Sequence, residues 1–396
     1  MSILAMHIDN TNPLLNAVAK VLRATRPRVS CNYYIRLEDV PNGPLLDIWF
    51  RTRGCSYDRH GSCTMCNYDW SSPTTSIEQI SFVKEALNKA GASPHELLIS
   101  PSGSMLDKTE VPIEARRGIF EIASKQPCKL FLIETRPETV TEEALVGYAN
   151  AFANSDTTIG VEMGLESSDQ WILNYCVNKQ MLLQDFEQAV QVIKRNGMLT
   201  YANVSLGTAF LTEQEAIQDS VKAIHWALGK GVDRVVLFPL HVKDFTVLHW
   251  LWKKGLHTPT SLWALPEVLK RLGSDAALKV ELAWYKPLPV EGLPQYPIPR
   301  TCNVCHAEVI QLLDSYKKTM DYKFIELLDE VSCPCHSAWR ERLATPPRTS
   351  LVDRVFSMYE IMGSEILGMK WWNKEGLPFL EQVKSKSLSL DTLIKE

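Results

Sequence analysis

Apolar, β-rich runs recur along the chain at Leu46–Phe50, Glu96–Ser100, Lys129–Glu134, Thr158–Leu165, Leu199–Leu206 and Arg234–Leu240. Between them the apolar positions fall at helical spacing, over Ile77–Ala90, Pro112–Lys125, Thr141–Ala153, Leu183–Asn196 and Thr212–Gly229. A further helix, Ala264–Leu272, follows the last run. Strands alternating with helices of this length predict a parallel sheet built from right-handed βαβ units. Six units are too few for a complete eight-fold barrel. The expected fold is therefore α/β, a partial (βα)6 TIM-like barrel with its chemistry at the C-terminal ends of the strands.

The rest of the chain frames that barrel. Its 396 residues are long for one core, so one large domain with an appendage is expected. Residues 1–45 read as an N-terminal helical or extended segment and residues 46–285 as the barrel. Residues 286–300, KPLPVEGLPQYPIPR, hold five prolines, which suit neither a helix nor a central strand; they read as an extended linker. Residues 286–345 combine that linker with a cysteine-bearing extension, and residues 346–396 form a helical tail. Within the tail, LVDRVFSMYEIMGSEILGMK predicts one amphipathic helix over Leu351–Lys370, followed by Trp371 and Trp372; packing or dimerisation is its expected use.

Composition narrows the class. A hydrophobic content of 45% suits a globular interior. No run approaches the ~20 apolar residues that span a bilayer, and MSILAMHIDNTN lacks a signal-peptide pattern. The ten cysteines include tight clusters unlike a disulfide framework, which points to a reducing cytoplasm. A net charge of −4 argues against non-specific nucleic-acid binding.

Cys55, Cys63 and Cys66 stand as C-x7-C-x2-C just after the run LLDIWF. Three close thiolates at a strand end suit an iron–sulfur cluster with one iron left open for a ligand, where four would close it. A structural zinc loop completed by His60 is the alternative. Cys302-x2-Cys305 and Cys333-x-Cys335 form a second group, separated by one element. Its four thiolates predict a structural zinc, with His306 and His336 as substitute ligands and an auxiliary iron–sulfur cluster as the alternative. Cys31, Cys128 and Cys176 read as small buried apolar residues. No G-x-G-x-x-G follows a strand, which sets hydride-transfer enzymes aside. A scaffold stabilised by zinc alone, binding a partner or RNA, is the reading from another class.

Longer stretches point to a family. RGCSYDRHGSCTMCNY, SPSGSMLDKTEVP, ETRPETVTEEAL, IGVEMGLESSD, NKQMLLQDFEQA and FLTEQEAIQD resemble the radical S-adenosylmethionine (SAM) superfamily. HVKDFTVLHWLWKKGLHTP, LWALPEVL, RTCNVC and CPCHSAWRERL extend the likeness, which covers Arg51 to Leu343. It is greatest to the radical-SAM subunit of archaeosine synthase, in the branch with the elongator catalytic subunit and oxygen-independent coproporphyrinogen oxidase. The C-x7-C-x2-C spacing departs from the commoner C-x3-C-x2-C of the superfamily but suits this branch.

The resemblance implies roles. Cys55, Cys63 and Cys66 would hold a [4Fe–4S] cluster whose open iron chelates SAM, and an electron would cleave SAM to a 5′-deoxyadenosyl radical. Tyr68 would pack beside the adenine, and Ser102, Gly103 and Ser104 would lie against the SAM amino group. Glu134 and Arg136 would contact SAM or pair with each other. Glu166 would bond the ribose hydroxyls, and Lys179 would meet the SAM carboxylate. The implied substrate is a lysine adduct of 7-deazaguanine in tRNA, whose C–N bond breaks to leave the amidine; a small metabolite of specialised biosynthesis is the alternative. An external electron donor and a partner enzyme that supplies the substrate are implied, and no membrane. Lys243, Lys253, Lys254, Lys270 and Arg271 could offer charge to tRNA, with an ordinary solvated face as the plainer reading. His241–Phe245 and Trp250–Trp252 are placed at the substrate opening by position and analogy.

Overall fold

The computed structural model describes residues 12–26, 31–59, 61, 63–68, 73–91, 93–287 and 296–384. Its centre is one sheet of eight strands that follow each other in sequence order. They are β1 (Tyr33–Val40), β2 (Gly43–Phe50), β3 (Glu96–Pro101), β4 (Leu130–Thr135), β5 (Thr158–Glu166), β6 (Leu199–Leu206), β7 (Arg234–Pro239) and β8 (Val280–Leu282). β1 and β2 form an antiparallel hairpin, and every later pairing is parallel. The six predicted runs are β2 to β7, and the six predicted helices are present between and after them. β1 and β8 extend the sheet by one strand at each edge. Those edges do not pair with each other, so the barrel is open.

Side-chain alternation gives this sheet two faces. On β2, Leu46, Ile48 and Phe50 join the main core under the helices, while Asp47 and Trp49 face the barrel interior. The inner face has only a small apolar set, in which Leu98, Leu132, Tyr201 and Val236 pack together. The outer helices start where their sequences dictate. Thr75 with Glu78, and Thr212 with Glu215, close capping boxes at Ser76–Ala90 and Glu213–Gly229. Tyr148, from the helix Glu142–Ala151, is fully buried; its hydroxyl donates to the carbonyls of Phe131 (2.8 Å) and Gly160 (3.0 Å), fastening β4 to β5.

The C-terminal extension spans the open seam. The helix His306–Thr319 reaches β8 through the Tyr316 hydroxyl, which donates to Val280 O at 3.1 Å. It reaches β1 through Lys317, paired with Glu38, and Lys318, 2.9 Å from Asp39. The tail differs from the single helix expected over Leu351–Lys370. A regular helix runs over Leu351–Met362 and then widens into a π-type turn at Gly363–Leu367. Gly363 and Gly376 both press on the Trp372 ring, and a Cβ on either would collide with it; the helix yields so that the indole is buried. Tyr359 ties this tail to the N-terminal helix Pro13–Arg23, accepting from Asn12 Nδ2 at 2.8 Å and donating to Tyr175 O at 2.6 Å. No helix among the described residues is long and apolar enough to cross a membrane.

Tyr148→Phe removes a hydroxyl that two buried carbonyls share. It is expected to cost about 1–3 kcal/mol. Urea denaturation checks this: the midpoint should fall with the slope unchanged. An unchanged midpoint would show that the hydroxyl does not hold β4 to β5.

Candidate active site

The barrel interior contains a cavity of about 230 Å³. It runs from the C-terminal strand ends, at Gly103, Arg136 and Glu166, down to Glu96 and Glu281 near the N-terminal ends. Cys55, Cys63 and Cys66 all line it. They enter from the loop after β2, and the core holds that loop from several sides. Arg23 donates to Cys66 O (2.6 Å), Cys63 O (3.4 Å) and Asp58 O (3.0 Å) and pairs with the Asp58 carboxylate at 2.8 Å. Thr64 donates through N and Oγ1 to the carbonyls of Val177 (2.9 Å) and Cys176 (2.7 Å). Those carbonyls are presented by a π-type turn, Leu173–Val177, before Asn178 at a φ of 58°. The thiols of Cys63 and Cys66 share a hydrogen bond that raises the pKa of Cys63 and lowers that of Cys66. Burial pushes the Cys55 thiol up to about 12 despite the nearby Arg136 charge. Three thiols of one loop, with no fourth cysteine lining the cavity among the described residues, form a donor set that fits a cluster with one open iron. His60, the residue that would complete a zinc loop, lies outside the described residues.

Arg136 organises the mouth of the cavity. Its guanidinium lies 2.6 Å from each of Asp107, Glu110 and Glu138, and not against Glu134. It also donates to Ser56 Oγ at 2.8 Å, approaches Cys55 Sγ to 3.5 Å and covers the Tyr57 ring at 4.6 Å. Glu110 is fully buried and its other oxygen accepts from Ser104 N at 2.6 Å. Ser102 and Ser104 are fully buried as well. Their hydroxyls accept from Thr52 N (2.8 Å) and Arg136 N (3.0 Å), so Gly103 alone of the three lines the cavity. At a φ of 147°, Gly103 leaves no room for a Cβ, which would strike Glu110 and crowd the Cys55 backbone.

The remaining expected residues meet on the same wall. Glu166 adopts a φ of 69° at the end of β5, and its Oε1 lies 3.0 Å from Lys179 Nζ. Burial works against the Lys179 charge, but Glu166 beside it keeps the ammonium pKa raised. Tyr68 receives Lys243 against its hydroxyl (3.3 Å) and its ring (4.6 Å). His241 also lines the cavity, bonded to Trp284 O; burial holds its pKa down at about 4, so the ring is neutral. Trp250 and Trp252 lie off the cavity wall, as does the half-buried Phe245, so the expected substrate opening reduces to His241 and Lys243.

Other residues were not legible as a site. Arg36 on β1 sits between Asp47 (2.7 Å) and Glu38 (3.4 Å) and covers the Trp284 ring at 5.0 Å. Glu162, Asn203 and Glu281 join it in the barrel interior, beside the expected Glu134. The Asn203 amide donates to Glu134 at 3.2 Å, and burial raises the Glu281 carboxyl to about 7. The only sequence signal was charge at inward positions of otherwise apolar strands, as in TIGVEMGLE.

Cys302, Cys305, Cys333 and Cys335 form a separate group, with all four Sγ atoms within 4.8 Å of one another. Trp263 Nε1 approaches Cys335 Sγ to 3.5 Å, and His336 stacks on the Trp263 ring at 3.9 Å. Cys128 and Cys176 are buried as expected, whereas Cys31 is half-buried and donates to Tyr33 O at 2.9 Å. The proposed basic face is largely compensated. Lys254 pairs with Glu365, Lys270 with Asp329, and Arg271 with Glu267 at 2.7 Å, while Lys243 is committed to the cavity.

No protein-family profile matches the chain. The chain is 30% identical over 313 residues to archaeosine synthase subunit beta of Methanosarcina acetivorans, covering 77% of this chain and 87% of the relative. It is 29% identical over 317 residues to the protein of the same name in Thermococcus kodakarensis, covering 75% of this chain and 91% of the relative. Among solved structures it is similar to methylornithine synthase, with a TM-score of 0.46 and 13% identity over 79% of this chain and 90% of the other. A likeness to an Elp3 of Methanocaldococcus infernus has a TM-score of 0.44 and 18% identity over 65% of this chain and 59% of the other.

Arg23→Gln keeps the size of the side chain but removes the cation that gathers the carbonyls of the cysteine loop. Iron affinity after reconstitution is expected to fall roughly 10- to 100-fold, as for other residues that orient metal ligands. Iron-to-protein ratios across an iron titration measure this, and ratios equal to wild type would refute the role.

Proposed function

The chain belongs to the archaeosine synthase subunit beta family, and we propose that it is a radical-SAM enzyme whose reaction begins in the barrel cavity. The observation that carries this reading is convergence: three cysteines of one loop, the Gly103 turn and the Glu166–Lys179 pair share one cavity at the C-terminal strand ends. When bound by Cys55, Cys63 and Cys66, a [4Fe–4S] cluster supplies an open iron and the electron that cleaves SAM.

The chain's own residues bind and orient. Gly103 lets the backbone approach the amino group, with Ser102 and Ser104 fixing the turn from behind. Glu166 offers its buried second oxygen, which has no hydrogen-bond partner among the described residues, to the ribose hydroxyls. Lys179 is placed to meet the carboxylate, and Tyr68, held by Lys243, to pack the adenine. Arg136 serves the cluster side, donating toward Cys55. Glu134 lies below this set and faces the substrate.

The second cysteine group is read as a structural zinc. A tetrahedron with zinc–sulfur bonds of ~2.3 Å has edges of roughly 3.8 Å. The closest thiol pairs here are separated by 3.4 to 3.7 Å, which favours one ion over a four-iron cluster whose ligands sit on separate irons.

By family, the substrate is a lysine adduct of 7-deazaguanine in tRNA, fragmented to the amidine. The relatives' name, subunit beta, implies a partner subunit, here the supplier of that adduct, and the electron comes from an external donor. The compensated lysines around Lys254 and Lys270 favour a second reading, a small metabolite that enters the cavity without RNA.

Anaerobic reconstitution with iron and sulfide, followed by dithionite and SAM, is expected to yield 5′-deoxyadenosine. Cys63→Ala should abolish it. A Cys63→Ala protein that still releases 5′-deoxyadenosine would defeat the cluster assignment.

A further inference from the structure

Behind the Glu166–Lys179 pair lies a buried acid that the chemistry above does not use. Asp219 sits on the helix Glu213–Gly229 and is 6% exposed. It makes no ion pair among the described residues; its Oδ1 accepts instead from the Ser167 hydroxyl at 2.7 Å. Burial pushes the carboxyl up to about 7, Ser167 lowers it, Asp169 raises it, and the exposed Lys222 offsets least. An apolar side chain would pack at this position with less cost, so stability does not account for the acid.

Glu166, one residue before Ser167, has a φ of 69°. Ser167 N donates to Leu165 O at 3.0 Å, which closes a γ-turn centred on Glu166. With positive φ this is the rarer and more strained hand of that turn, and it persists only where its surroundings fix it. The β5–β6 register shifts at the same place, between Gly164 and Glu166, so the regular ladder is already broken there. Side chains of other elements hold the turn. Ser205 on β6 donates its hydroxyl to Glu166 O at 3.3 Å. The Ser167 hydroxyl accepts from Asp169 N at 3.1 Å, which leaves its proton for Asp219. So held, Glu166 brings its Oε1 to 3.0 Å from Lys179 Nζ, in space kept clear by Gly164, whose Cβ would strike both.

We propose that Asp219 is a positioning residue: through the Ser167 hydroxyl it holds Glu166 in this turn and so sets the aim of the Glu166 carboxylate in the cavity. Asp219 and Ser167 do not themselves line the cavity, so their effect reaches a ligand only through Glu166. The consequence for binding rests on the reading of Glu166 as the contact for the SAM ribose hydroxyls; the role in the turn does not. The role needs an acceptor at residue 219 rather than a charge. An amide oxygen would serve, and a hydrocarbon of similar size would not.

The test compares Asp219→Leu, which fills the site without an acceptor, with Asp219→Asn, which keeps one. Ser167→Ala, which removes the donor, serves should Asp219→Leu fail to fold. All are made in the full chain with its cluster reconstituted. Crystal structures without SAM read the turn. In Asp219→Leu the Glu166 φ is expected to turn negative and its carboxylate to leave Lys179, while Asp219→Asn keeps both. Calorimetry with SAM, and with its analogue lacking both ribose hydroxyls, reads the consequence. Asp219→Leu is expected to bind SAM roughly 10-fold more weakly or worse, the scale of a hydrogen bond to a charged group, and the analogue as wild type does. A turn that survives both Asp219→Leu and Ser167→Ala would overturn the proposal. So would equal losses for SAM and the analogue, the mark of a general structural defect. A lost turn with SAM affinity unchanged would leave the positioning role standing and overturn the ribose contact. Failure of the wild type to bind SAM would overturn the radical-SAM reading alone, and the crystal structures would still decide the role of Asp219.

Discussion

The mouth of the barrel depends on one buried guanidinium. Arg136 leaves the end of β4 and meets acids from two directions, Asp107 and Glu110 from the segment after β3 and Glu138 from its own turn. Its contacts with Ser56 and Cys55 then reach the cysteine loop after β2. Three consecutive strand ends are thereby locked to each other. Such a centre is held together mutually: removing the cation would leave Glu110, which is fully buried, with no counter-charge. The same network explains why residue 103 is glycine, because Glu110 fills the space a side chain would need.

A sheet whose edges do not meet would expose its interior at the seam between β8 and β1. The first helix of the C-terminal extension covers that seam, with Tyr316 on one edge and Lys317 on the other. Lys317 also lines the cavity, so the extension contributes to the interior as well as to the wall. Burial acts to discharge this lysine, and Glu38 offsets part of that cost. The four-thiol group sits just before and after the helices that form this cover. A metal there would fix the extension on the barrel, which connects a structural ion to the shape of the active cavity.

The sequence revealed whatever was local. β2 to β7 were readable because each is a short β-rich run bounded by helical periodicity, and the cysteine groups because their spacing is a chemical signature. β1 was not, since YYIRLEDV carries Arg36, Glu38 and Asp39 where a strand pattern expects apolar residues. Those charges face partners that only the fold supplies, Asp47 across the hairpin and Lys317 and Lys318 from the far end of the chain. β8 has three residues with glutamate in the middle, below the length at which periodicity can be read. Within the site, Glu166 and Lys179 were found as separate positions, yet their pairing needed the strained φ of Glu166 to turn them together. Arg136 was named, but its partners were not, because Asp107 and Cys55 lie 29 and 81 residues away along the chain. The inward acids Asp47 of β2 and Glu162 of β5 stayed hidden for a related reason: a lone charge in an apolar strand carries no hint of which other charges share its face.

Cys55, Cys63 and Cys66 are proposed to leave one iron of a cluster open to SAM inside this cavity. Electron paramagnetic resonance of the reconstituted, dithionite-reduced protein, recorded with and without SAM, tests it most directly. The expected result is a reduced-cluster signal whose g-values shift when SAM is added, as a ligand enters the open site. A cluster signal identical in both spectra, with SAM shown to be bound, would contradict it.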